Sequence, residues 1–92
     1  MKVEYQDAGH EARLIITSSL AGWKKHIHLV DEILLRVPQL RAETEGVFIV
    51  TTTVSGFTAD VLRAEIIAEE YGFPVNRLTW KDDEHGQEDR QG

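Results

Sequence analysis

The strongest constraint on this chain is a ten-residue phrase used twice, LIITSSLAGW at residues 14–23 and FIVTTTVSGF at residues 48–57. Ile15 and Ile49, Thr17 and Thr51, and Gly22 and Gly56 are identical. The other positions keep chemical type, with hydroxyls at Ser18/Thr52 and Ser19/Thr53 and a ring at Trp23/Phe57. Each copy opens with an apolar, β-branched run suited to a strand. Each closes with hydroxyls and a glycine, which suit a helix start, where orphan N–H groups need oxygen partners. The repetition therefore predicts two strand-to-helix units.

The helical patterns follow directly. After the first copy, Leu20, Trp23, Ile27, Val30, Ile33, Leu34 and Val37 recur at three- and four-residue steps, and Pro38 ends the run. Trp23 shares a face with Ile27, Val30 and Leu34 and is expected to anchor this helix in the core. After the second copy, Val61, Ala64, Ala68 and Tyr71 form the stripe. The words YGFP close it, with Gly72 free to turn left-handed, Phe73 placed to fold back and Pro74 barring continuation. Ser18 or Ser19, and Ser55 or Thr58, are the natural N-caps. A short alternating segment follows each helix, QLRAET and VNRLTW, and Glu45-Gly46 makes a tight turn before the second repeat.

Two βαβ halves joined back to back make the ferredoxin-like split βαβ plan, an α/β (α+β) two-layer sandwich. The segment KVEYQ also alternates and, with DAGH as a turn, is suited to a hairpin with residues 12–18. In the ferredoxin-like plan that partner strand is central and already has two neighbours. Residues 2–6 must therefore displace the last strand or extend an edge elsewhere. Ninety-two residues support one domain, here residues 1–80. The segment 81–92 carries five acids against two bases and little apolar surface, and is expected to be a disordered acidic tail. The length and plan suit acylphosphatases and metal-binding ferredoxin-like domains, but their phosphate loop and paired cysteines are missing.

Composition narrows the function classes. No cysteine is present, so disulfides, thiolate nucleophiles and cysteine-based zinc sites are ruled out. No apolar stretch resembles a signal peptide or a membrane span, and a cytoplasmic protein without membrane contact is expected. The net charge of −6 disfavours phosphate-backbone binding. His26 and His28, two apart on a helix, point about 200° from each other and cannot share a metal. They read as boundary and surface side chains. The G-x-S-x-G elbow is absent and nothing places a carboxylate behind a histidine, so neither catalysis nor a cofactor or metal is expected.

Two surfaces remain as candidates. One is the sheet face away from the helices, where Ile15, Ile49, Val47 and Val75 would form an apolar strip flanked by Arg13 and Arg77. The other is a ridge on the second helix, Leu62 and Ile66 rimmed by Glu65, Glu69 and Glu70. Both point to a non-catalytic protein-binding module, an inhibitor or regulatory subunit of the kind mobile elements direct against nucleic-acid-handling complexes. A homodimer is compatible with the same surfaces. The alternative is a sensor or enzyme for a small anion. It requires the two repeated strands to be adjacent and parallel, so that Thr17, Ser18, Ser19, Thr52, Thr53 and Ser55 gather beside two helix starts.

Overall fold

The computed structural model describes residues 1–78. The expected tail, like Trp80, lies outside the described residues. In chain order the elements are β1 (Lys2–Asp7), β2 (Glu11–Ser19), a 3-10 turn at Leu20–Gly22, α1 (Trp23–Arg36), β3 (Arg41–Glu45), β4 (Ile49–Phe57), α2 (Thr58–Glu70) and β5 (Val75–Leu78). They form a two-layer α/β sandwich, one five-stranded mixed sheet with two helices packed on one face.

The strand order is β3-β4-β2-β1-β5, and it resolves the conflict over the N-terminus. Residues 2–7 form the expected hairpin with β2, pairing Val3 with Ile16 and Tyr5 with Leu14. Its turn is closed by the Gly9 amide on Asp7 Oδ1 at 2.8 Å, with Gly9 at φ +100. β1 therefore displaces β5 outward by one position, and β5 pairs parallel to β1, Val3 opposite Val75. A hairpin closes a short loop at low entropic cost, and alternation lets β1 bury Val3 and Tyr5. Burial, and then the Asp7 carboxylate that accepts from its hydroxyl at 3.0 Å, push the Tyr5 phenol up to about 12.

The two repeated strands are neighbours, but antiparallel rather than parallel. Thr17 pairs with its own repeat equivalent, Thr51, while Ser19 pairs with Ile49 and Glu11 with Phe57. The physical reason is the Gly46 turn. The α1 crossover returns the chain so that β3 runs the same way as β2, and this turn then reverses it, so β4, seated between β3 and β2, opposes both. The copies are thus related by an approximate two-fold axis at the Thr17–Thr51 pair, and their strand-to-helix turns leave opposite ends of the sheet.

The core lies between the sheet and the helices. Ala12, Leu14 and Ile16 of β2 and Val54 of β4 meet Leu29, Val30 and Ile33 of α1 and Val61, Ala64, Ile67 and Ala68 of α2, all buried. On α1 the buried line runs through His26 rather than through Trp23, which is 37% exposed, so Trp23 is not the expected core anchor. The expected hydroxyl caps are also replaced. α1 starts on Gly22 and α2 on Phe57, neither with a side-chain cap. Ser18 is turned inward, and Thr58 Oγ1 donates instead to the Gly9 carbonyl at 2.7 Å. The close of α2 follows the sequence reading. Gly72 takes φ +89, its amide donates to the Glu69 carbonyl and the Phe73 amide to that of Ala68. That is the six-to-one and five-to-two pairing of a glycine-terminated helix.

Candidate functional site

Register decides which of the sequence candidates are available. β5 pairs Val75 with Val3 and Arg77 with Tyr5, so both residues face the helices and not the open face. Arg77 there clamps Glu65, with Nε 3.0 Å from Oε2 and a terminal nitrogen 2.6 Å from Oε1, and its guanidinium lies 4.9 Å from the Tyr5 ring centre. Glu65 is buried by this pair, and the pairing raises the Arg77 pKa. Glu70 is held by Arg36 at 3.0 Å on the surface, and Leu62 packs against the core. Of the second-helix ridge, Ile66, Glu69 and the ion-paired Glu70 remain exposed. Parity along β5 could not be read from its sequence, because four residues alternate equally well on either face.

On the open face, Arg13, Ile15 and Thr17 of β2 lie beside Ser55, Thr53 and Thr51 of β4. A hollow of about 400 Å³ there is lined by Arg13, Arg41, Thr53 and Ser55, but also by Glu11 and Glu43, so its charges cancel. The six hydroxyl residues proposed for an anion do not converge. Ser55 sits beside Arg13, four pairs along the ladder from Thr51, and Ser19 lies at the opposite end. Ser18 and Thr52 face the helices.

Those two face inward because they hold a histidine. His26 is fully buried, with Nδ1 2.7 Å from Ser18 Oγ and Nε2 2.7 Å from Thr52 Oγ1, and Thr52 continues to Thr44 Oγ1 at 2.7 Å. The Trp23 ring lies 5.5 Å away, tilted by 44°. Ser18 and Thr52 are equivalent positions of the repeat, so the two-fold axis brings one hydroxyl from each copy to one imidazole. Hydroxyls both donate and accept, so either neutral tautomer is satisfied. Burial pushes the His26 pKa down. A serine on a histidine nitrogen resembles half of an acyl-transfer site, but Ser18 is 4% exposed and beyond a substrate's reach in this conformation. Sequence reasoning missed this site. The available signal was a ring one turn inside an apolar helix, opposite two hydroxyls of the inward strand parity.

The most exposed feature is apolar. Leu20, Val47, Phe48 and Ile49 are 56%, 72%, 75% and 57% exposed, and Trp23 is partly so. Pairing of Ser19 with Ile49 sets the Gly46–Phe48 turn beside Leu20, so all five gather at one end of the sandwich. Strand alternation carried back from Val50 would turn Phe48 inward, and Val47 was expected on the open sheet face. Both precede β4, which begins at Ile49, and the strand's alternation does not reach them. Gly46 makes the turn. Its φ is +110, and a Cβ would collide with the Ile49 carbonyl oxygen.

Among the described residues, no group of three or more histidine and acidic side chains is arranged for a metal, and no helix is long and apolar enough to cross a membrane. Comparison with protein-family models, with curated proteins and with solved structures finds no match.

Proposed function

We propose that this chain is a non-catalytic protein-binding module of the inhibitor or regulatory type, and that it docks through its apolar end. The observation that carries this reading is the grouping of Leu20, Trp23 and Ile49 with Val47 and Phe48, the last two on a turn that only glycine allows. Large apolar side chains that a monomer leaves in water as one patch are characteristic of contact surfaces, and aromatic residues dominate the energetics of such contacts. The net charge of −6 favours a partner with a basic surface, as nucleic-acid-handling complexes present. Arg13 and Ile15 extend the patch from Ile49 onto the open sheet face, and Ile66 with Glu69 and Glu70 is the exposed part of the helix ridge.

Affinity capture with the wild-type chain and with a Val47→Asp, Phe48→Asp variant tests the reading. Both side chains are exposed, so the variant should melt at the wild-type temperature. A partner kept by the first and lost by the second supports docking at this end. A partner held equally by both, or none held by either, refutes it.

A further inference from the structure

The lysine-rich opening of α1 follows Trp23 directly, but neither Lys24 nor Lys25 is one of the five side chains of that apolar end. A groove of about 470 Å³ lies between it and the turn that closes α2, lined by Lys24, Lys25, His28, Tyr71, Gly72 and Phe73. Two ammonium groups and three rings line it, and no carboxylate does. Among the described residues neither lysine forms an ion pair, in a chain whose acids outnumber its bases by six. The rings are already arranged, with His28 edge-on to Tyr71 at 5.6 Å and Phe73 tied by its amide to the Ala68 carbonyl. Above Gly72 the space is open, since a Cβ there would meet nothing within 4 Å. Glu32 lies beside the Tyr71 hydroxyl, whose pKa is raised first by loss of solvent and then by that carboxylate.

We infer that this groove binds a small aromatic anion, a planar ring carrying a phosphate, of mononucleotide size. The ring stacks on the face of Tyr71, and His28, edge-on to Tyr71, meets its rim, since an aromatic face accepts any flat base. The phosphate lies at the lysine end, away from Glu32, where two ammonium groups supply charge and donors. Each half of the ligand alone makes only part of these contacts. The inference goes beyond the docking proposal and does not depend on it.

Amide spectra of the full chain, titrated at constant ionic strength with adenosine monophosphate, adenosine and inorganic phosphate, test it. The nucleotide should shift the amides of Lys24, Lys25, His28 and Tyr71 to Phe73 and saturate in the millimolar range. Adenosine or phosphate alone should bind at least about tenfold more weakly. A Lys24→Glu, Lys25→Glu variant and a Tyr71→Leu variant should each lose about tenfold, while Arg13→Glu on the opposite face loses nothing. All four positions are exposed, so unchanged dispersion of the core signals is expected. Adenosine binding as well as the nucleotide, shifts centred elsewhere, or full affinity in the lysine variant would overturn the site. An oligothymidylate at equal nucleotide concentration should bind no more tightly. Tighter binding would overturn the small-ligand assignment in favour of a nucleic-acid strand.

Discussion

The two halves of this protein, β2-α1-β3 and β4-α2-β5, follow one plan at a step of 34 residues (Ile15 to Ile49), yet they are built differently. Ile33 and Ile67 occupy equivalent core positions and both are buried. Position 26 is a buried histidine, whereas its counterpart Asp60 reaches Gln39 at 3.4 Å on the surface. β3 pairs directly with β4, whereas β5 is separated from β2 by β1. A repeat thus dictates strand and helix twice over, but an axis through Thr17 and Thr51 brings equivalent side chains face to face. Ser18 and Thr52 meet on a single imidazole, and only one half supplies it.

The largest effect should come from the shared core. Ile33→Ala and Ile67→Ala should each cost about 2 to 5 kcal/mol in urea unfolding, with Ile33 the larger because it is wholly buried. Values far apart would mean that the halves contribute unequally to one core.

Position 26 should separate the halves. His26→Leu strands the Ser18 hydroxyl, leaves Thr52 only its bond to Thr44, and should cost about 1 to 3 kcal/mol, while Asp60→Leu, in the first turn of α2, should cost less than about 1 kcal/mol. The pH dependence has a definite sign. A folded-state pKa depressed below the ordinary 6.5 favours the neutral imidazole. That contribution is fully present above pH 6.5 and is lost as pH falls below it through the folded value. The stability difference between wild type and His26→Leu should therefore shrink on acidification below that pH, and a constant difference would show that His26 is not buried neutral.

The ion pairs sharpen the contrast between a held strand and a surface clip. Arg77→Met leaves Glu65 buried without its partner and should cost about 1 to 3 kcal/mol. Arg36→Met, which breaks the exposed pair with Glu70, should cost less than about 1 kcal/mol in the same melt. Equal effects would place Glu65 in water.

The smallest effects belong to the equivalent rings. Phe57, 66% exposed, should tolerate Ala within about 0.5 kcal/mol. Trp23→Ala should cost less than the roughly 3 kcal/mol of a buried ring, and a larger loss would restore Trp23 as a core anchor.

The repeat, the helices, the YGFP closure and the N-terminal hairpin were all legible in the sequence, and so was the two-layer class. Each depends on residues within a few positions of one another, so spacing, chirality and backbone hydrogen bonding carry the information. What the sequence left open was every choice between remote partners: the antiparallel relation of the repeated strands, the place of β1 between β2 and β5, and the face of Arg77. The candidate surfaces were least legible for the same reason. Glu65 looks like a surface acid until β5 is placed beside β1, His26 looks like a boundary residue until Ser18 and Thr52 are set opposite it, and Phe48 looks like an inward strand residue until β4 is seen to begin after it. Local periodicity determined the elements of this protein. Register, which depends on where the whole chain packs, decided which side chains are held inside and which are left for a partner.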